Sequence, residues 1–220
     1  MKIISIIPIK SHSERVKNKN FKKIGKKPLY KFMLEKVVKC NFDENYVDTD
    51  SNEIKEYCKK IGIKTINRVP KLALNNANGN DLLNYHSKII DADIYFQLYI
   101  TAPLLKISSI NKCIEFLKNN SRYDSILTVK EIYSWFWFGK HPVNYKPKIL
   151  PRSQDAKPII QETTGLYGIR KKSLLKNKCR IGQKPFFYKI GADECIDLDT
   201  EEDFIYLNYY AKKYLSSSKS

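Results

Sequence analysis

The sequence of 220 residues predicts an α/β fold, a mostly parallel sheet flanked by helices. Three observations predict it. Apolar patterns alternate between strand-like and helix-like spacing along the chain. The first of them, Ile3-Ile4-Ser5-Ile6-Ile7, is the near-continuous apolar run of a strand buried on both faces in the middle of a parallel sheet. A lysine-rich polar loop then leaves that strand, and in open α/β sheets ligands sit in the crevice at the carboxyl ends of the strands. Residues 1–215 are expected to form one domain, because a chain of this length buries most of its apolar surface and no linker or repeat divides it.

Pro8 has no N–H to donate and is expected to stop the ladder of the first strand. The loop beyond it carries Lys10, His12, Ser13, Arg15, Lys17, Lys19 and Asn20. Cations grouped where a strand leaves a sheet suit a polyanion, of which a nucleoside triphosphate is the commonest small one. A solvated basic loop with no ligand is the alternative. Pro28 favours a helix start, and Leu29, Phe32, Met33 and Val37 share one helical face that ends near Lys39. Asp50 with Glu53 three residues on reads as a capping box, opening a second helix that Gly62 ends. Residues 63–66 read as a short strand. The turn-rich stretch 75–81 feeds a helix through about residue 90. Residues 94–99 form a central strand closed by Thr101-Ala102-Pro103-Leu104, Ser108 or Ser109 caps another helix, and 125–129 is strand again.

From 131 to 160 this periodicity breaks. Trp135-Phe136-Trp137-Phe138 forms an aromatic cluster, followed by prolines at 142, 147, 151 and 158. The segment reads as an excursion from the sheet whose aromatic residues pack either on a second subunit or back on their own core. Strands resume at 166–170 and 186–190, and Thr200 caps a last helix to about residue 215. The polar tail, 216–220, is expected to be disordered.

The net charge is +17, with 40 Lys+Arg against 23 Asp+Glu. Residues 1–40 hold 12 of the basic residues and two of the acidic ones, so the excess gathers around the first loop. That favours a phosphate pocket over a general nucleic-acid surface, and no recognised nucleic-acid motif is present. Five cysteines, an odd number without Cys-x-x-Cys, suggest free thiols rather than a disulfide framework or zinc site. No apolar run approaches a membrane span and the N-terminus lacks a cleavage signal, so a cytoplasmic protein without membrane partners is expected. His86 and His141 read as structural. His12 reads equally as a phosphate contact or an exposed loop residue.

In Asp197-Leu198-Asp199 two carboxylates lie two residues apart and share one face of an extended backbone, an arrangement that suits Mg²⁺. The same residues before a helix also serve as caps.

Several stretches together resemble the acylneuraminate cytidylyltransferase family, which activates sialic acid and related sugar acids with CTP. An apolar strand, Pro8, a basic residue, Ser13-Glu14-Arg15, Lys-Asn and Gly25-Lys26-Lys27-Pro28-Leu29 resemble its opening signature. Ile196-Asp197-Leu198-Asp199-Thr200-Glu201-Glu202-Asp203-Phe204 resembles its C-terminal metal motif. Thr49-Asp50-Ser51, Arg68 to Ala73 with Ala77 to Gly79, Thr101 to Leu104, Arg152 to Asp155 and Gly165 to Tyr167 follow in order.

The resemblance implies a Rossmann-like sheet of the nucleotide-diphospho-sugar transferase type, a homodimer joined through the 131–160 excursion, and Mg²⁺ at Asp197 and Asp199. It implies that Lys10, Ser13, Arg15, Lys19 and Asn20 hold the triphosphate, with Lys10, Arg15, Lys19 and Asp199 catalytic. Arg68, Ala77 and Gly79 would meet the base and ribose. Tyr99, Thr101, Arg152, Gln154 and Thr164 would meet the sugar acid. Lys10 stands where the family usually has Arg, Glu14 where Lys is frequent, Tyr99 in place of Gln and Thr164 in place of Asn. Another acceptor such as an octulosonic acid, another nucleotide, an inactive relative and a basic polyanion-binding module are the competing readings.

Overall fold

The computed structural model describes residues 1–13, 16–74, 76–149 and 151–211. Glu14, Arg15 and the expected tail lie outside them. In chain order the strands are β1 (Ile3–Ile9), β2 (Lys23–Ile24), β3 (Lys27–Pro28), β4 (Glu44–Thr49), β5 (Lys64–Asn67) and β6 (Ile94–Leu98). They continue with β7 (Ser125–Ile132), β8 (Trp137–Phe138), β9 (His141–Pro142), β10 (Ile159–Arg170) and β11 (Pro185–Lys189). The helices are α1 (Leu29–Val37), α2 (Asn52–Ile61), α3 (Pro70–Ala73), α4 (Gly79–Ile89), α5 (Ile107–Asn119), α6 (Lys171–Asn177) and α7 (Glu201–Tyr210).

The main sheet has seven strands in the order β11-β7-β10-β6-β1-β4-β5. β1 pairs in parallel with β4 and β6, β4 with β5, and β7 with β11. Only β10 among them runs antiparallel to its neighbours, β6 and β7. The sheet is therefore mostly parallel, as the sequence predicts, with β1 at its centre. Alternate residues of β1 face opposite sides. Ile3, Ile7 and Ile9 pack with α1, α2 and α5 through Met33, Ile54 and Ile110, whereas Ile4 and Ile6 pack with α4 and α6 through Leu83 and Leu174.

Pro8 ends one ladder rather than both. Pairing with β6 stops at Ile6, opposite Gln97, while pairing with β4 continues through Pro8 to Ile9. A proline removes one N–H, and successive N–H groups of a strand point to opposite neighbours, so the other ladder survives. Two cap assignments also change. Ser51, not Asp50, caps α2 by accepting from the Ile54 amide. Lys106 precedes α5 without a side-chain cap, and Ser109 is buried inside the helix. Asn78 and Thr200 close capping boxes on α4 and α7, and Gly62 ends α2 at φ +76° as expected. The excursion forms a small hairpin, β8 with β9, in which Trp135 and Trp137 pack around Tyr145. Phe138 is 82% exposed.

Gly168 lies where β10 passes between β6 and β7, opposite Phe96 and Ile126. A Cβ there would come within 2.5 Å of the Phe96 ring and 2.8 Å of Ile126 Cγ2. Both neighbours are fully buried. Gly168→Ala should therefore destabilise the protein by about 1–3 kcal/mol, lowering its thermal midpoint by several degrees. A midpoint equal to that of the parent would show that the sheet tolerates the extra methyl group.

Candidate active site

A cleft of about 330 Å³ opens at the carboxyl ends of β1 and β6. It is lined by Lys10, His12, Ser13, Lys19 and Asn20 from the segment after β1, by Arg68, Leu72 and Ala77 from the segment after β5, and by Tyr99 and Thr101 after β6. This is the crevice beside the central strand of an open α/β sheet. A larger, shallower hollow of about 650 Å³ lies at the other end of the sheet, bounded by Met1, Asp93, Arg170 and Lys171. Two of its cations are already engaged. Lys171 pairs with Asp91, and the Arg170 guanidinium donates to the carbonyls of Leu117, Asn120 and Tyr123.

The loop after β1 is fixed by its own polar groups. Asn20, buried, donates to the Lys10 carbonyl at 2.7 Å. The Lys19 amide donates to the Ser13 hydroxyl at 3.3 Å. Asp50 accepts from the amide and hydroxyl of Ser11 at 2.6 and 2.7 Å. Burial opposes ionisation of Asp50, but these two donors outweigh it and hold the carboxyl below its ordinary value. Asp50 thus fastens the loop to the end of β4 instead of capping α2.

Lys19 reaches across to the other end of the chain. Its Nζ donates to the Leu198 carbonyl at 2.8 Å and to Asp199 Oδ1 at 3.3 Å. The Leu198 amide donates to the Thr101 carbonyl at 2.8 Å, and its side chain is fully buried. This backbone bond holds the Asp197–Asp199 segment against the end of β6. Behind it, Lys36 of α1 donates to the carbonyls of Pro103 and Leu105, and burial pushes its ammonium down to about 8 against the pull of Glu194. Asp197 Oδ2 accepts from the Thr164 hydroxyl, while its Oδ1 is buried without a hydrogen-bond partner among the described residues. Thr164 holds φ at +52°, within the irregularity that shifts the register of β10 against β7. For a β-branched residue such a backbone costs about 1–3 kcal/mol and persists only where its surroundings impose it.

An unpartnered carboxylate oxygen beside a second carboxylate is the donor chemistry Mg²⁺ takes, with water and substrate phosphates completing its shell. Among the described residues no third His, Cys, Asp or Glu is grouped with this pair as a possible metal ligand.

Two further clusters border the cleft. Asp48, at the end of β4, accepts from Arg68 Nε at 3.2 Å and from His86 Nε2 at 2.9 Å. The side chains of Asp48, Arg68 and His86 are at most 4% exposed. The second is built on Tyr99, which lines the cleft: Arg180 Nη1 donates to its hydroxyl at 2.7 Å, and that hydroxyl donates to Gln97 Oε1 at 2.7 Å. Gln97 Nε2 in turn donates to the Gly79 carbonyl at 3.0 Å. Burial pushes the Tyr99 phenol up, against the pull of Arg180. The Arg180 guanidinium also lies 3.7 Å from the centroid of the Tyr167 ring. The packing leaves no room at Gly79, where a Cβ would fall 2.4 Å from both Arg180 Nη1 and the Tyr99 hydroxyl.

The cytidylyltransferase family model matches residues 4–217. The chain belongs to the cytidylyltransferase family. It is 25% identical over 224 residues to the N-acylneuraminate cytidylyltransferase of Streptococcus agalactiae serotype III, covering 94% of this chain and 52% of that protein. It is 34% identical over 140 residues to the 3-deoxy-manno-octulosonate cytidylyltransferase of Rickettsia canadensis, covering 58% of this chain and 52% of that one. The chain spans about half the length of the curated relatives it matches. Among solved structures, a CMP:2-keto-3-deoxy-manno-octonic acid synthetase complexed with CTP superposes with a TM-score of 0.72 at 17% identity, covering 97% of this chain and 99% of that one. At that identity the likeness shows the fold.

In this member of the family the cleft gathers Lys10, Ser13, Lys19, Asn20, Arg68, Ala77, Tyr99 and Thr101, all singled out from sequence. Gly79 lies against Tyr99, and Asp199 meets the cleft through Lys19, whereas Thr164 and Asp197, bonded to each other, are not among the residues that line it. Arg152 and Gln154 do not line it. Arg152 is 74% exposed and pairs with Asp155 within its own loop at 2.7 Å, and Gln154 is exposed beside it. Arg15 lies outside the described residues. Sequence reasoning did not single out Gln97 or Arg180, and it read His86 as structural without its partner. Asp48 offered only a weak signal, a carboxylate after Val47 at the end of a strand, which when buried needs partners. Arg180 offered none, because its partners lie just after β6, on α4 and on β10.

Proposed function

We propose that this cytidylyltransferase transfers CMP from CTP to a 2-keto-3-deoxy sugar acid, a sialic-acid-like nonulosonate, with release of pyrophosphate. The observation that carries the reading is the contact of Lys19, which lines the cleft together with Lys10, with Asp199 from the far end of the chain. The acceptor's anomeric hydroxyl oxygen forms a bond to the α-phosphorus, the bond from that phosphorus to the β-phosphate bridging oxygen breaks, and the hydroxyl proton passes to solvent. Positioning and charge neutralisation supply most of the rate in such a transfer.

Lys10, Arg15 and Lys19 neutralise the triphosphate, with Ser13 and Asn20 shaping the loop that carries them. Arg68, Ala77 and Gly79 meet the base and ribose. Tyr99, Thr101 and Thr164 border the acceptor. Asp197 and Asp199 would hold Mg²⁺, which when bound would supply Lewis-acid neutralisation of the charge that develops during transfer. The exposed Trp137, Phe138, Val143 and Ile149 support a homodimer joined through the excursion. In that assembly Arg152 and Gln154 of one protomer reach the acceptor of the other.

The decisive experiment measures pyrophosphate release from ATP, GTP, UTP and CTP with a sialic acid and an octulosonic acid, each with and without Mg²⁺. Release is expected with CTP, a sugar acid and Mg²⁺ together. Equal turnover of UTP, turnover after chelation, or no turnover with any acid overturns the corresponding part of the reading. The similarity to the Rickettsia enzyme makes the octulosonic acid the second acceptor to try.

A further inference from the structure

We propose that Arg180 is the receptor for the acceptor's carboxylate within the chain, and so a determinant of acceptor specificity. The inference rests on the sugar-acid reading above. Lys19, held by Asp199 and the Leu198 carbonyl, and Arg68, held by Asp48, serve the nucleotide in that reading. Arg152 pairs with Asp155 outside the cleft. Arg180 has no carboxylate partner among the described residues, and its Nε and Nη2 make no hydrogen bond there.

It is nonetheless held in place. The ring of Tyr167 supports its plane, and the donor chain from Nη1 through Tyr99 and Gln97 to the Gly79 carbonyl fixes its rotation. A half-buried guanidinium with an open N–H edge is costly without a counter-charge, and its planar fork matches a carboxylate. Its place agrees with the chemistry. Lys10 and Lys19 draw the leaving pyrophosphate toward the loop after β1, so an in-line attack brings the acceptor from the opposite side. Tyr99, which lines the cleft and holds Arg180, has its amide bonded to the Gly165 carbonyl next to Thr164.

The test compares the parent protein with Arg180→Met, Arg180→Lys and Tyr99→Phe, using the sugar acid that supports turnover and its carboxamide. The acceptor KM should rise about 10–100-fold in Arg180→Met, with the KM for CTP little changed. Arg180→Lys should recover part of the loss, and the preference for acid over carboxamide should disappear in Arg180→Met. Tyr99→Phe, which keeps the Tyr167 stack, should raise the acceptor KM severalfold. An unchanged acceptor KM in a folded Arg180→Met, or a rise equally large for CTP, overturns the inference while leaving the transferase reading intact. If Arg180→Met fails to fold, an unchanged acceptor KM in Tyr99→Phe overturns it instead. Absence of turnover by the parent protein with every acid overturns the reading beneath it, and this inference with it.

Discussion

Asp199→Ala should lower CTP-dependent pyrophosphate release by at least about 10³-fold while the protein remains folded. The side chain is only partly buried, and two features that hold its segment are untouched by the change. These are the Leu198 side chain in the core and the Leu198 amide on the Thr101 carbonyl. What disappears is one of two carboxylates available to a divalent cation and the anionic partner of Lys19. Asp199→Asn keeps the shape and an acceptor for Lys19 but removes the charge. It should be nearly as inactive if metal binding is the role, and much less affected if the role is only to orient Lys19. Turnover near that of the parent in Asp199→Ala would remove the metal assignment altogether. Thermal midpoints of both variants, measured beside the kinetics, separate loss of chemistry from loss of fold.

Asp48→Ala should cost about 3–5 kcal/mol of stability. Asp48 is 1% exposed, and its two oxygens accept from Arg68 and from His86, which is fully buried. Removing the carboxylate strands the Arg68 guanidinium, whose side chain is 4% exposed. An uncompensated buried charge costs far more than the pair it came from is worth. At about 2–4 °C per kcal/mol for a chain of this size, the thermal midpoint should fall by about 6–20 °C. The KM for CTP should rise as well, because Arg68 lines the cleft and depends on Asp48 for its orientation. Asp48→Asn, which still accepts one hydrogen bond, should be milder in both respects. A loss of stability below about 1 kcal/mol would mean that water reaches the pair.

Much of the scaffold was legible because its signals are local. The isoleucine run of β1, the αL glycine after α2 and the Thr200 cap of α7 depend on a few consecutive residues and standard backbone chemistry. Local signals misled where a tertiary partner competed for the same group. Asp50 looks like a cap, yet its carboxylate is taken by Ser11 across the sheet edge, and Ser51 caps α2 instead. Pro8 looks like the end of a strand, yet only one of its two neighbours required the N–H it lacks.

By itself the sequence determined the α/β class, the central buried strand, the basic loop that leaves it and the carboxylate pair near the far end. The tertiary structure alone decided that β10 inserts antiparallel between β6 and β7, that Lys19 meets Asp199, and that Arg180 stacks on Tyr167 beside Gly79. The reason is physical. Propensity and periodicity record what a residue prefers within a turn or two of its own chain. Strand order and crossovers are set by burying every element's apolar face at once, and they bring together side chains far apart along the chain.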